Sequence, residues 1–414
     1  MRLLIFMLVA AFFFSCGENE NQLSRPEFST ELTTASGLTE AQLHDKVLGM
    51  LVGAAIGDAM GAPTEMWPRE SIQLEYGFVD GLDSMIREVS PEGIWKANLP
   101  AGGTTDDTRW KVLAVNYLLT QKPGSLDPAD FAKHILGIYE KDADNLKSIE
   151  SSDPEDFENG MLRINWLSEW AKVSKPYLDD NLTGYADSLS KFYGGEMVCA
   201  GLLYAPALGI FFPGDPEKAY REAFKLSIFD LGYARDLTGI AAAMTAGGMK
   251  PEATKEDLLA VTRLDPEAYF QSRLVGRTAQ RILKDALWIN QEAKKLDSVG
   301  NVMNFDSPSL ASAFAQLDQK LQDMPFHAGE IYLQTLTAML YADFNFKNTL
   351  IFLVNYGRDN DTTAALAGGI LGAWIGFEKL PKSEREQVLR VSSDELDIDL
   401  QKVAEDLTAH MLKK

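Results

Sequence analysis

Two aspartates separated by one residue precede a small-residue segment near the end of the chain, and this arrangement suits a cation site. Residues 357–363 read G-R-D-N-D-T-T, and residues 364–376 are rich in alanine and glycine. Side chains two positions apart do not face each other on a regular helix, but in the loop before one they can converge on a single ion. Thr362 then lies near the N-cap. Oxygen ligands of this kind favour Mg²⁺ or Mn²⁺. The structural alternative is a capped core helix with solvated aspartates.

A second acidic helix start lies at residues 102–110, which read G-G-T-T-D-D-T-R-W. The adjacent Asp106 and Asp107 repel each other, which is a cost unless a cation neutralises them. A third stretch, residues 49–65, predicts a glycine-rich helix that packs closely and ends near Glu65. Two acidic helix starts make a binuclear centre an economical hypothesis. Two ions about 3.5–4 Å apart would share a carboxylate, orient vicinal hydroxyls and activate a water.

The elements that carry these residues are predicted to be helices. Apolar residues recur at helical spacing along the chain, alanine and leucine are frequent, and alternation of β-branched residues is rare, so we expect an all-α fold. The 414 residues contain no obvious low-complexity linker in their interior, so one large domain with insertions is as compatible with the sequence as two domains.

A charged stretch at residues 141–192 is expected to be an insertion or rim. It contains Trp166, Trp170 and Tyr177. These aromatic side chains either stack on a ligand or pack the insertion against the domain.

The composition excludes several classes of function. The chain has 39 basic and 60 acidic residues, a net charge of −21 and a pI near 4.7, which argue against nucleic-acid binding and make cations plausible partners. Its four histidines show no zinc-ligand spacing and no signature of a catalytic triad. The two cysteines imply no disulfide framework, and Cys199 is expected to be a small buried apolar residue.

The N-terminus predicts a secreted, lipid-anchored protein. A short basic start and an apolar run over residues 3–14 precede Ser15 and Cys16, which is typical of a signal peptide spanning 1–16. The Ser-Cys junction resembles the lipobox of bacterial lipoproteins, in which the cysteine is lipidated. The alternative is an ordinary secretory signal with an incidental cysteine. We expect an extracytoplasmic protein that meets the membrane only through this anchor. Its predicted parts after the signal are a flexible tether (17–42), a globular domain (43–380) and a C-terminal helical extension (381–414).

Taken together, the three acidic stretches resemble the ADP-ribosylglycohydrolase family. They occur in the family's order as G-D-A-x-G-x-P-x-E at residues 57–65, T-D-D-T at 105–108 and G-x-D-x-D-T at 357–362, the last followed by a Gly/Ala helix. The resemblance covers roughly residues 43–377.

This resemblance implies an orthogonal helical bundle with a two-metal centre of Mg²⁺ or Mn²⁺. Glu65 is expected beside the ions, where it positions or activates the attacking water, with Asp106 and Asp107 as further catalytic residues. In the family, water displaces the leaving group at the anomeric carbon of a ribose. The metal ligands implied by the matching motif positions are Thr105, Asp106, Asp107, Asp359, Asp361 and Thr362.

Two departures from the family pattern concern the substrate. Arg358 stands where many members have glycine, and it either contacts a diphosphate or pairs with one of the aspartates. Glu196 replaces a small residue in a loop that reads Y-G-G-E-M. Both are candidate substrate contacts.

The expected activity is hydrolysis of an N- or O-glycosidic bond to an ADP-ribosyl or related ribosyl group. The expected substrate is an ADP-ribosylated protein or a small ribosyl glycoside. The alternatives are a metal-dependent hydrolase of another extracytoplasmic glycoside or nucleoside-like compound, and a catalytically silent binding protein on the same fold.

Overall fold

The protein is all-α in the part of the chain that the structure describes. No β-strand occurs among the described residues, only helices and isolated bridges, which confirms the predicted class. The predicted signal peptide, with Cys16, lies outside the described residues. The computed structural model describes residues 25–90, 96–148, 154–266, 274–296 and 303–413.

The α-helices, in chain order, are α1 (Glu40–Gly61), α2 (Arg69–Glu75), α3 (Asp106–Leu118), α4 (Pro128–Lys147), α5 (Pro154–Leu178), α6 (Leu182–Lys191), α7 (Ala205–Ile210), α8 (Pro216–Leu226), α9 (Ala234–Gly248), α10 (Lys255–Val261), α11 (Thr278–Ala293), α12 (Pro308–Asp318), α13 (Ala328–Tyr341), α14 (Phe346–Tyr356), α15 (Asn360–Ile375), α16 (Lys382–Leu396) and α17 (Leu400–Met411). Short 3₁₀ helices span Ala62–Thr64, Phe192–Gly195, Ala200–Leu203 and Phe377–Lys379.

Helices α1 and α15 form the centre of the fold and touch backbone to backbone. A Cβ atom added to Gly53 would lie 2.4 Å from the carbonyl oxygen of Gly368, and one added to Gly61 would lie 2.4 Å from the Cα atom of Asp361. Both distances are far shorter than any real contact of a Cβ atom, so only glycine fits at these crossings. The small-residue packing therefore fixes the end of α1, which leads to Glu65, against the start of α15.

Helix α1 is a core helix. The segment Glu40–Thr64 is long and apolar enough to cross a membrane, with a mean hydropathy of 1.3, but 94% of its most apolar window is buried inside the protein. It begins at Glu40, three residues before the predicted start near Leu43, because Thr39 and Gln42 form a capping box.

The described part of the predicted tether contacts the domain. The Phe28 ring stacks on His44 with 4.6 Å between ring centroids, and Leu38 is buried. The polar composition of residues 17–42 did not indicate these contacts, which depend on two apolar side chains.

The stretch predicted as an insertion or rim supplies core residues. It forms the end of α4, then α5 and α6. Trp170 is buried and packs on Trp110 and Phe229, with ring centroids 4.1 and 4.7 Å apart, and Tyr177 packs on Tyr185. Trp170 and Tyr177 therefore pack the stretch against the domain, while Trp166 and Trp170 also line a cavity, so stacking of these two on a ligand stays a prediction.

The C-terminal extension forms two helices, α16 and α17. Gln387 on α16 donates a hydrogen bond from Nε2 to the carbonyl of Ala101 at 2.7 Å. This contact holds the glycine loop that leads into α3, so the C-terminal helices help position one of the acidic helix starts.

Candidate metal centre

The three acidic stretches meet at one place in the fold. One carboxylate oxygen from each of Glu65, Asp359 and Asp361 lies within 4.8 Å of the other two. The Thr105 hydroxyl lies 3.3 Å from Oδ2 of Asp361. The start of α3, the start of α15 and the segment after α1 therefore converge, as the hypothesis of a shared centre and the family resemblance implied.

The remaining predicted ligands complete the same cluster. The Thr362 hydroxyl donates to Oδ2 of Asp107 at 2.9 Å, which links the starts of α15 and α3. Asp106 lies with Glu65 and Asp359 on the wall of one cavity. The structure thus brings all six predicted ligands and Glu65 together, and their binding of metal stays a prediction.

Asp58 is a site residue to which the sequence reasoning gave no role. Its carboxylate is fully buried at the end of α1 and accepts hydrogen bonds from the backbone N–H groups and the hydroxyls of Thr105 and Thr108, at 2.6–3.0 Å for the shortest bond of each group. It therefore caps α3 from another helix and fixes the Thr-Asp-Asp-Thr turn. A charged residue inside an apolar helix was the available signal, because buried carboxylates need partners.

The cluster is strongly acidic and desolvated. Burial, followed by the nearby Glu65 carboxylate, raises the pKa of Asp359 to about 7. Burial and Asp107 raise the pKa of Asp58 to about 6. The pKa of Asp361 lies well above its usual range for the same reason, with burial the largest cause and Glu65 the next. Clustered buried carboxylates resist ionisation unless a positive charge neutralises them.

A hard divalent cation fits these residues. Oδ1 of Asp361 is buried and receives no hydrogen bond from the described residues, so a buried acceptor is left for a ligand. The surrounding donors are carboxylate and hydroxyl oxygens, the set that Mg²⁺ and Mn²⁺ prefer.

Glu65 is held in the site by two contacts from outside its own motif. Arg87 donates from Nη1 to Oε2 of Glu65. The neighbouring Met66 N–H donates to the carbonyl of Arg358 at 2.7 Å, and the Arg358 N–H donates to the carbonyl of Trp67 at 3.2 Å. These paired backbone bonds hold the Glu65 segment beside the start of α15.

The Arg358 side chain is held by a different carboxylate from those expected. Its guanidinium donates to both oxygens of Glu330, at 2.8 and 3.0 Å, and to the carbonyl of Gln322 at 2.9 Å. Glu330 rather than Asp359 or Asp361 is thus its ion-pair partner. Glu196 is exposed on the loop between two residues of the cavity wall, Tyr193 and Val198. Contact of Arg358 or Glu196 with substrate stays a prediction.

The carboxylates face a cavity of about 660 Å³, a volume that includes its open mouth. Its lining combines acidic and aromatic residues, which suits a ligand with both hydroxyl groups and a flat ring. The lining residues are Glu65, Met66, Asp106, Trp110, Trp166, Trp170, Tyr193, Val198, Cys199, Ala200, Leu203, Phe326, Asp359, Asp361 and Thr362.

Comparison with known proteins identifies the family of this chain. The sequence model of the family described as ADP-ribosylglycohydrolase matches residues 39–414. The chain is 26% identical to the ADP-ribosyl-[dinitrogen reductase] glycohydrolase of Rhodospirillum rubrum, over 83% of this chain and 90% of that protein. It is 23% identical to the ADP-ribosylarginine hydrolase Tri1 of Serratia proteamaculans, over 88% of this chain and 80% of that protein.

A solved structure shows the same fold. It is described as an ADP-ribosylglycohydrolase-related protein complex and superposes with a TM-score of 0.53 at 18% identity, covering 90% of this chain and 100% of that one. The family match extends beyond the predicted domain to include α16 and α17. This chain therefore belongs to the ADP-ribosylglycohydrolase family and is a hydrolase of that family.

Proposed function

We propose that this protein uses two divalent cations, Mg²⁺ or Mn²⁺, to hydrolyse the bond between the anomeric carbon of an ADP-ribosyl group and its attached group. The observation that carries the proposal is the convergence of three acidic helix ends on a cavity that aromatic residues also line. The names of two relatives, an ADP-ribosylarginine hydrolase and a hydrolase of ADP-ribosyl-dinitrogen reductase, support a modified protein as substrate.

The residues divide into those that hold the cations and those that act on water. Bound cations would orient the vicinal hydroxyls of the ribose and make a nearby water a better nucleophile. The residues that would hold them are Thr105, Asp106, Asp107, Asp359, Asp361 and Thr362.

In this proposal, Glu65 accepts the proton of the attacking water. It lies on the cavity wall with its carboxylate beside those of Asp359 and Asp361, and Arg87 holds one of its oxygens. The water oxygen forms a bond to the anomeric carbon, the bond to the leaving group breaks, and the leaving atom takes up a proton. The net reaction consumes one water.

The aromatic residues of the cavity lining are suited to the flat parts of such a substrate. Tyr193 and Phe326 line the cavity with their ring centroids 6.1 Å apart, and Trp110 and Trp166 line it as well. Aromatic faces bind planar rings and guanidinium groups by stacking and by cation–π attraction. An adenine or an arginine leaving group offers such a plane.

The decisive experiment measures release of ADP-ribose from an ADP-ribosylarginine peptide by the full chain, with Mn²⁺ and then with excess EDTA. We expect release only with the cation, and a loss of about 100-fold or more in Asp361→Asn, because this substitution removes a proposed ligand charge. Calorimetric titration of ADP-ribose serves as the binding control. Neither binding nor hydrolysis, in protein shown to hold cations, would contradict the ADP-ribosyl substrate.

We also propose that the chain is extracytoplasmic and is anchored through a lipid on Cys16. The support is the basic start, the apolar run and the Ser-Cys junction of residues 1–16.

A further inference from the structure

A buried lysine binds one of the predicted metal ligands. Lys111 lies one turn after Asp107 on α3, and its ammonium donates to Oδ1 of Asp107 at 2.8 Å. Both side chains are only 2% exposed. The other carboxylate oxygen of Asp107 accepts from the Thr362 hydroxyl at 2.9 Å. Both oxygens of this one ligand are therefore already bound by the protein.

The other carboxylates of the cluster are bound differently. Asp361 has a buried oxygen without a hydrogen bond from the described residues, and Asp359, Asp361 and Glu65 bring their oxygens within 4.8 Å of one another. Glu65, Asp359 and Asp361 line the cavity, whereas Asp107 is not among its lining residues and is buried beside Lys111. The acidic cluster thus has an open part and a part that already contains a fixed positive charge.

Lys111 and Asp107 are buried as a pair. If the ammonium moved away, the Asp107 carboxylate would stay buried without a counter-charge, which is costly. A cation that uses Asp107 must therefore either compete with Lys111 for an oxygen or bind close to its positive charge. Like charges at such short range in a desolvated site repel strongly. In the described part of the chain, no lysine or arginine forms an ion pair with Asp359 or Asp361, whereas Arg87 donates to Oε2 of Glu65.

We propose that Lys111 makes the two cation positions unequal: the position at Asp359 and Asp361 fills first, and the position that depends on Asp107 fills only at higher cation concentration. This inference rests on the proposed two-metal function. Lys111 is then a positioning residue for the centre. When only one cation is bound, the Lys111 ammonium balances the negative charge of Asp107 in place of the second cation. Activity then follows the occupancy of the weaker position.

The test counts bound Mn²⁺ in the full-length protein by calorimetry and by electron paramagnetic resonance, in the absence of substrate. In the wild type we expect two binding steps whose affinities differ by about tenfold or more. In Lys111→Met we expect the weaker step to tighten by about tenfold or more, because the competing charge is gone. Equal affinities in the wild type, or no tightening in Lys111→Met, would overturn the inference.

Two further variants separate the charge of Lys111 from its role in folding. Lys111→Arg keeps the positive charge, and we expect it to keep the two unequal steps. Lys46→Met is the control, because Lys46 is a half-buried lysine away from the cluster, which donates to the carbonyls of Gly248, Ala373 and Trp374 at 2.6–3.2 Å near the opposite end of α1. We expect it to lower the melting temperature without changing either Mn²⁺ step.

A melting experiment supplies a second readout if Lys111→Met is unstable without metal. This variant leaves Asp107 buried without a counter-charge, so Mn²⁺ should raise its melting temperature by more than it raises that of the wild type. An equal or smaller rise would count against the proposal. Two Mn²⁺ steps of unequal affinity without hydrolysis of ADP-ribosyl substrates would support this inference and overturn the proposed function. Two steps of equal affinity with hydrolysis would support the proposed function and overturn this inference.

Discussion

At the scale of single residues, Glu65 depends on a partner from another part of the chain. Arg87 lies in the loop after α2 and donates to Oε2 of Glu65 and to the carbonyl of Ala62. The ion pair fixes the orientation of a carboxylate that is only partly buried. Groups that orient a ligand or a base commonly change activity about 10–100-fold when they are removed.

Replacing Arg87 with methionine should therefore lower kcat about tenfold or more with a smaller change in KM, because Glu65 loses its fixed orientation while the rest of the cavity is intact. Steady-state release of ADP-ribose measures this. Arg385→Met is the matched control, since Arg385 forms an ion pair with Glu378 at 3.1 Å on the helix α16 side of the molecule. An unchanged kcat in Arg87→Met would show that Glu65 needs no such support.

The sequence could indicate the acidic residues but not their partners. Asp106, Asp107, Asp359 and Asp361 were found because helix starts and adjacent charges are local signals. The bond from Thr105 to Asp58 spans 47 residues and the pair of Arg358 with Glu330 spans 28. Such partners depend on how helices pack, which a single sequence does not reveal.

At the scale of helices, three helix ends share one desolvated site, and this gives the protein a pH-dependent stability. The pKa of Asp58 is raised from 3.8 to about 6 and that of Asp359 to about 7. A carboxyl whose pKa is raised on folding holds its proton in the folded state where the unfolded chain has lost it. Its ionisation therefore reduces stability as the pH rises through this range.

We expect saturating Mn²⁺ to stabilise the protein more at pH 8 than at pH 5, because the cation neutralises carboxylates that are ionised at the higher pH. The difference should be at least about 1.4 kcal/mol, the equivalent of one pKa unit. Urea unfolding with and without Mn²⁺ at the two pH values measures it. Equal stabilisation at both pH values would mean that the cation does not bind these carboxylates.

The contact between α1 and α15 makes a second prediction at this scale. A Cβ atom on Gly57 would lie 2.1 Å from the carbonyl oxygen of Ala364, so Gly57→Ala should push the helices apart. We expect a loss of about 1–3 kcal/mol in unfolding free energy, together with weaker Mn²⁺ binding because Asp361 shifts relative to Glu65.

The control for this change is Gly137→Ala on α4, where an added Cβ atom would meet nothing within 4 Å. We expect this variant to be as stable as the wild type or more stable by up to about 1 kcal/mol, since alanine favours a helix more than glycine does.

The close packing of α1 was predicted from its glycines. The partner helix and the matching positions along it became evident only in the structure.

At the scale of the whole molecule, the all-α class followed from helical periodicity over most of the chain. The boundaries were less predictable, because they depend on small features such as the capping box at Thr39 and the two apolar side chains of Phe28 and Leu38. The role of residues 141–192 was also not evident from sequence, since charged residues flank tryptophans that pack in the core.

The proposed lipid anchor makes a prediction about location. Cys16→Ser should move the protein from the membrane fraction to the soluble fraction of the cell, because one cysteine would carry the lipid. Fractionation followed by immunoblotting measures this, and Cys199→Ser is the control because Cys199 is buried in the fold. Cys16→Ser protein that stays with the membrane would exclude this residue as the anchor.

Helix α1 also sets a distance. It begins beside the N-terminal segment and, after 22 residues, ends at the glycine that touches the start of α15, which corresponds to about 33 Å. The cavity therefore lies about one helix length from the place where the described N-terminal segment meets α1. A change to that segment would act far from the carboxylates, so the domain can be joined to other parts of a chain at that end without disturbing them.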